Sequence, residues 1–229
     1  MNKERNILYL IWKNPSSHTN HVVGMLTKGH EYSFEYTSDF LAEVKNKRLE
    51  LLHAFPEPEH KYESKELFPT FASRLPDRKR KDIDLILNKY GLKEFDEFEL
   101  LRRGGGRLPI DTYSFVDPIF PEDETVEREF FIMGVMHYSF CKKNRHLGLF
   151  QINTNDKLSL KRESNNEYDQ YAVQILYNDD LIGYVPRYYS EAVCSRLLKG
   201  MTYECKVIEI NQDETCDECI KVRLTMPND

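Results

Sequence analysis

Asp117, Pro118, Pro121 and the acidic run Glu122-Asp123-Glu124 occupy the stretch between Val116 and Glu127, which carries no apolar periodicity. Neither a buried helix nor a buried strand can run through such a segment. The patterns on its two sides differ, so the chain reads as two domains: residues 1–118, a linker at 119–127, and residues 128–229. With 229 residues in all, each part is long enough to bury a core of its own.

On the N-terminal side, short apolar runs at Ile7–Trp12 and Val22–Leu26 and the alternation of Tyr32, Phe34 and Tyr36 predict an opening antiparallel sheet. Gly29 lies between the second and third segments, where a hairpin turn can use positive φ. Ser38-Asp39 predicts the cap of a helix through Phe40, Leu41 and Val44. A further helix is expected from Ser64 to Leu75, closed by Pro76. Ile83, Ile86, Leu87 and Tyr90 recur at helical spacing within Arg78–Tyr90, and Gly91 follows where that helix would stop. Asp96 caps a last short helix bearing Phe98, Leu100 and Leu101, ended by Gly104-Gly105-Gly106.

On the C-terminal side the period changes to strands: Phe130–Val135, Leu158–Leu160, Ala172–Leu176, Leu181–Val185, Tyr203–Ile210 and Ile220–Thr225, with a tight turn at Asn178-Asp179-Asp180. One helix, Ser190–Leu198, interrupts them and ends at Gly200. The fold class is therefore α+β: a small antiparallel sheet with helices, then a small β-barrel with one helix.

Charge limits the partners. The formal net charge is -6, so a polyanion would have to meet a local patch on an acidic body. Ile7–Trp12 is too short for a signal-peptide core, and no run approaches the roughly 20 apolar residues of a membrane span. Five cysteines is an odd number, and Cys141, Cys194 and Cys205, scattered in apolar surroundings, read as reduced, buried thiols. The expected compartment is the cytoplasm, with no membrane partner.

The densest polar and aromatic pattern runs from Leu158 to Val173 and continues at Ile182–Arg187. A strand ends in an Asn-rich turn displaying Tyr168 and Asp169, and the next hairpin returns with Tyr184 and Arg187. Tyrosines offer faces for base stacking, Arg162 and Arg187 can meet phosphate, and Asn166 and Asp169 can bond a sugar or a base edge. The same residues also read as a turn built by Asn166 and Asp169 with the tyrosines in the core.

The series Gly134-Val135, Arg162-Glu163, Asn166, Tyr168-Asp169, Ala172-Val173 and Gly183-Tyr184-Val185-Pro186-Arg187 resembles the HIRAN domain in order and spacing, over roughly Arg128 to Met226. That resemblance implies an OB-like β-barrel that binds single-stranded DNA, in the studied eukaryotic members at a free 3′ end. It implies that Tyr168 stacks on the terminal base, that Asp169 contacts the terminal hydroxyl and that Asn166 shapes the turn. The chain departs from the end-binding members where they place Arg-Tyr after the strand glycine. Met136-His137-Tyr138 stands there instead, which removes a charge-assisted contact and leaves His137 and Tyr138 at that edge. Lys142 and Lys143 lie nearby as a substitute basic edge, or as a solvated loop.

The N-terminal half is similar to the N-terminal subdomain of HipA-type kinases. The residues that carry this are Val23-Gly24, Leu26, Tyr32–Tyr36, Phe40-Leu41, Leu67-Phe68-Pro69, Leu75-Pro76 and Phe98–Leu101. In those kinases the subdomain precedes the catalytic core, and as a separate small protein it restrains a truncated kinase in tripartite toxin–antitoxin systems. The resemblance implies docking on a HipA-like kinase encoded elsewhere.

Catalytic patterns are missing. Gly104-Gly105-Gly106-Arg107 lacks the Lys-Ser/Thr of a phosphate loop and follows a helix, as a structural stop would. Cys216 and Cys219 have zinc-knuckle spacing, but Cys205 is the only other nearby ligand, so no metal and no other cofactor is expected. The reading is a non-enzymatic antitoxin-type regulator of a HipA-like serine/threonine kinase whose barrel binds DNA, as single-stranded ends or operator duplex. The alternative is a stand-alone sensor of 3′-hydroxyl single-stranded DNA ends in repair or phage defence.

Overall fold

The computed structural model describes residues 6–121, 123–138, 152–211 and 218–227. The chain forms two compact units, one ending at Pro118 and the other beginning at Ile119. Among the described residues no helix is long and apolar enough to cross a membrane.

The first unit is built on a five-stranded antiparallel sheet of order β4-β3-β2-β1-β5. Its strands are β1 (Ile7–Lys13), β2 (Asn20–Lys28), β3 (Tyr32–Tyr36), β4 (Tyr62–Ser64) and β5 (Tyr113–Val116). Because side chains alternate along a strand, Tyr32, Phe34 and Tyr36 all point into the core while Glu35 faces solvent. Phe34 lies flat against the β2 backbone at Gly24, where a Cβ would come within 2.6 Å of its ring. Phe55 and Phe71 pack on Phe34 at centroid distances of 4.4 and 5.3 Å. The unit's core is thus largely aromatic, which suits aromatic pairs that favour tilted and edge-on contacts.

Four short helices cover this sheet: α1 (Ser38–Lys45), α2 (Pro69–Ala72), α3 (Ile83–Lys89) and α4 (Glu97–Gly104). The cap of α1 is Thr37, one residue before the expected Ser38-Asp39. Its hydroxyl accepts from the Phe40 amide and donates to the Val22 carbonyl, tying the helix to β2. The long helix expected over Ser64–Leu75 is replaced by the edge strand β4 and the four-residue α2. Pro69 explains the difference: it has no amide hydrogen to donate, so it opens a helix and cannot sit within one. Gly29 likewise does not take positive φ. The turn closes through its amide, which donates to the Glu31 carbonyl at 2.9 Å. The helix expected from Arg78 starts only at Ile83 but stops at Gly91, with φ +65°, as expected. Asp96 caps α4 by accepting from the Phe98 and Glu99 amides, and Gly105 and Gly106 end it at φ 72° and 54°. The glycine run is a helix stop.

The second unit is a curled six-stranded antiparallel sheet, β6-β11-β10-β7-β8-β9, in the manner of an OB-like barrel. Its strands are β6 (Val126–Phe131), β7 (Lys157–Arg162), β8 (Val173–Tyr177), β9 (Asp180–Tyr184), β10 (Glu204–Ile210) and β11 (Ile220–Met226), with one helix, α5 (Arg187–Leu198). Five of the expected strands and the helix are present where expected; the strand expected over Phe130–Val135 instead runs over Val126–Phe131, and Val135 falls in a 3-10 helix behind Gly134 at φ +74°. The helix begins three residues early because Pro186, with φ fixed near its helical value, serves as its cap. Asn178 and Asp179 both take positive φ and form the two-residue hairpin between β8 and β9. Of residues 119–127, Ile119 is buried in this unit's core and Val126 opens β6. The carbonyls of Phe120 and Asp123 accept from the buried Arg196 guanidinium of α5 at 3.1 and 2.6 Å.

The barrel closes beyond β6. Met133 pairs with Tyr184 at the end of β9, exchanging both backbone hydrogen bonds at 2.9 Å. Closure requires glycine at 183, because a Cβ there would lie 2.5 Å from Ile132 Cγ2 and from the Met133 carbonyl oxygen, and φ is +153°. Gly183→Ala should therefore destabilise the second unit by about 2 to 4 kcal/mol, from backbone strain and overpacking together. Urea unfolding followed by circular dichroism measures this. The fluorescence of Trp12, the chain's single tryptophan and a first-unit residue, should keep its transition.

Candidate nucleic-acid interface

β7 ends at Arg162, and the chain turns at Glu163–Tyr171 before entering β8. Register places Lys161, Gln174 and Tyr184 side by side across β7, β8 and β9. They lie on the face opposite the core residues Leu160 and Ile175, with Glu163 following on the same face. The barrel closure sets the short 3-10 helix Val135–His137 beside them.

The turn is held by its own side chains. Asn166 Oδ1 accepts from the amides of Tyr168 and Asp169 at 2.9 and 3.0 Å, while its Nδ2 donates to Glu163 Oε2 at 2.7 Å. Asp169 Oδ1 accepts from the Tyr171 amide at 2.9 Å, and Oδ2 accepts from the buried Ser190 hydroxyl on α5 at 2.7 Å. The Ser190 oxygen also lies 2.9 Å from the carbonyl of Arg187, in the first turn of the same helix, so its single proton is shared between the two acceptors. Tyr184 donates to Glu163 Oε2 at 3.0 Å, and its ring lies 6.0 Å from that of Tyr138. Burial, then the Tyr138 and Glu163 contacts, push the Tyr184 hydroxyl above its ordinary pKa, so it stays a neutral donor across the physiological range.

The Tyr168 side chain lies outside this network. Tyr168 is 86 % exposed, with its backbone amide fixed by Asn166. Arg162 and Arg187 are exposed on either side in sequence, at the end of β7 and the start of α5. Met136 and His137 are exposed on the 3-10 helix. Of the residues singled out from sequence, the fold brings Asn166, Asp169 and Tyr184 into one hydrogen-bonded cluster, with the ring of Tyr138 6.0 Å from that of Tyr184. Tyr168, Arg162, Arg187 and His137 are exposed on the segments next to it, and Lys142 and Lys143 lie outside the described residues. Asn166 and Asp169 build the turn and Tyr184 is half-buried, whereas Tyr168 is held out in solvent and not in the core.

Glu163 and Ser190 are members of the cluster to which sequence assigned no role. The three-residue spacing of Glu163 and Asn166 is a local signal for the first. Nothing near Ser190 marks it, since its partner lies 21 residues away.

These arrangements have counterparts in known families. Residues 126–225 match the HIRAN domain, and residues 17–109 match the HipA N-terminal domain. The chain joins these two domains. Among solved structures, the HIRAN domain of human HLTF is 16% identical, with a TM-score of 0.35 over 45% of this chain and 78% of that one. A protein from Lactobacillus plantarum is 18% identical, with a TM-score of 0.37 over 44% of this chain and 94% of that one. No curated protein matches the chain.

Charge is distributed unevenly between the two domains. Residues 1–118 hold 19 basic and 19 acidic side chains, whereas residues 119–229 hold 13 and 19, so the whole net charge of -6 belongs to the HIRAN unit. Arg162 and Arg187 are cations set into an acidic body. Among the described residues no group of three or more His, Cys, Asp or Glu side chains could hold a metal ion. Cys219 is buried in the barrel core, and Cys216 lies outside the described residues. Burial pushes the Cys205 thiol up to about 12, which leaves it protonated and unreactive.

The contrast between the supports and the exposed ring is testable. Asp169→Ala should destabilise the HIRAN domain by about 2 kcal/mol, because bonds to a charged acceptor are lost and the buried Ser190 hydroxyl loses one of its partners. Tyr168→Ala should stay within about 0.5 kcal/mol of the wild type. Urea midpoints of the two variants give the comparison.

Proposed function

We propose that the HIRAN domain binds single-stranded DNA at the Tyr168 turn and that the HipA N-terminal domain docks on a HipA-like serine/threonine kinase, the chain acting as a non-enzymatic antitoxin-type regulator in the cytoplasm. The observation that carries the DNA reading is Tyr168: a large aromatic ring held in solvent by a turn whose hydrogen bonds are made elsewhere. A ring so presented offers a stacking platform whose backbone anchor is already fixed before the ligand arrives. Arg162 and Arg187 supply phosphate contacts on the flanking elements. Asp169, half-buried and already accepting two hydrogen bonds, lies beside that ring and can take a further bond from a terminal sugar hydroxyl, since each carboxylate oxygen has two lone pairs.

The acidic body makes this a local contact. With two arginines meeting phosphate, the logarithm of affinity should fall with the logarithm of salt at a slope of about -1.4, far shallower than that of a basic DNA-binding domain. Met136 stands where a guanidinium would add a third contact, so discrimination between free and blocked 3′ ends falls to Tyr168 and Asp169.

Fluorescence anisotropy with single-stranded oligonucleotides bearing free or blocked 3′ ends, and with duplex, tests the reading. Tyr168→Ala should weaken single-strand binding by about 1 to 3 kcal/mol through the lost stack. Arg187→Gln should reduce the salt slope by about 0.7 while leaving the end preference unchanged. Absence of binding to every oligonucleotide at low salt would remove the DNA function. Co-expression with a HipA-type kinase core and size-exclusion chromatography tests docking. Co-elution with the isolated 1–118 segment is expected, and separate elution of the full-length chain would refute it.

A further inference from the structure

We infer that Glu163 is the positioning residue of the DNA site, presenting Tyr168 by holding the Asn166 turn and Tyr184 on a single carboxylate oxygen. The inference rests on the DNA reading above. Glu163 Oε2 accepts from Asn166 Nδ2 at 2.7 Å and from the Tyr184 hydroxyl at 3.0 Å. An ionised carboxylate can only accept, so it decides which end of the Asn166 amide faces it. Nδ2 must point to Glu163, and Oδ1 is then directed at the amides of Tyr168 and Asp169. Reversing the amide would set its hydrogens against two N–H groups.

The same logic applies on the other arm. The one hydroxyl proton of Tyr184 is committed to Glu163. Tyr184 also carries the backbone pair with Met133 that closes the barrel. Glu163 therefore ties the exposed turn to the most constrained point of the barrel wall. Without that tie the turn keeps its Asx bonds but loses the group that orients them.

A Gln at 163 keeps an oxygen with two lone pairs and can hold both arms, whereas Ala holds neither. The test measures affinity for a single-stranded oligothymidine with a free 3′ end, by anisotropy, for the wild type, Glu163→Ala, Glu163→Gln, Tyr168→Ala and the Glu163→Ala/Tyr168→Ala pair. Glu163→Ala should weaken binding about tenfold, comparable to a weak stacking contact, and Glu163→Gln should restore it to within a few-fold of wild type. In the Tyr168→Ala background Glu163→Ala should cost nothing further, because a residue acting through Tyr168 has nothing left to position. Losses that add in the double variant would overturn the inference while leaving the DNA reading intact, as would a folded Glu163→Ala variant with wild-type affinity. If Glu163→Ala does not fold, Tyr184→Phe removes one arm and keeps the ring. It should weaken binding severalfold and again show no loss in the Tyr168→Ala background, and additivity there would overturn the inference in the same way. A wild-type protein that binds no oligonucleotide overturns both readings together.

Discussion

The second unit depends on a single pair of residues. Met133 and Tyr184 exchange two backbone hydrogen bonds where the first and last strands of the sheet meet, and this turns an open sheet with two exposed edges into a closed wall. The strands approach so closely that residue 183 has no room for a side chain. Closure fixes the direction of the chain leaving β9, so Pro186 and α5 follow from a defined point. It also sets the 3-10 helix with Met136 and His137 against Tyr184. The turn, β9 and α5 meet through the sheet register and the packing of α5, and the closure brings the 3-10 helix to them.

Much of this architecture is legible in the amino-acid pattern. Period-2 alternation at Tyr32, Phe34 and Tyr36 and the apolar runs of the C-terminal half mark their strands because each has one face or both in a core. Asn178-Asp179 marks a hairpin because only such residues accept two successive positive φ angles cheaply. At two of the segments that differ, a partner distant in sequence outweighs local preference. Residues 62–64 pair with β3 as an edge strand and never join a helix. Thr37, not Ser38 or Asp39, caps α1, because its hydroxyl also reaches the Val22 carbonyl across the sheet.

The site divides the same way. The Asn166 turn is visible in sequence because its bonds span two or three residues. The links from Glu163 to Tyr184 and from Asp169 to Ser190 each span 21 residues, and that from Arg196 to Phe120 spans 76. No periodicity encodes them. They exist because α5 packs on the barrel and because β8 sets Tyr184 of β9 on the same face as the end of β7. Which tyrosine is a strut and which is presented was likewise undecided in sequence. Tyr184 is half-buried and hydrogen-bonded, Tyr168 is neither, and only the fold separates the two.

Helix α5 adds a consequence for how the second unit behaves as a body. Ser190 in its first turns holds Asp169 at the exposed turn, and Arg196 near its end holds the carbonyls of Phe120 and Asp123. Arg196 is a buried guanidinium whose bonds there go to neutral backbone oxygens, and burial pulls its pKa down. A buried cation of this kind tolerates little displacement, since losing either carbonyl leaves it poorly compensated. The segment that enters the HIRAN unit and the turn that presents Tyr168 are therefore fixed to one rigid helix, 12 residues long. A ligand that shifts the turn must either leave α5 in place or move it together with the chain entering the domain, because no flexible element lies between Ser190 and Arg196 to absorb the difference.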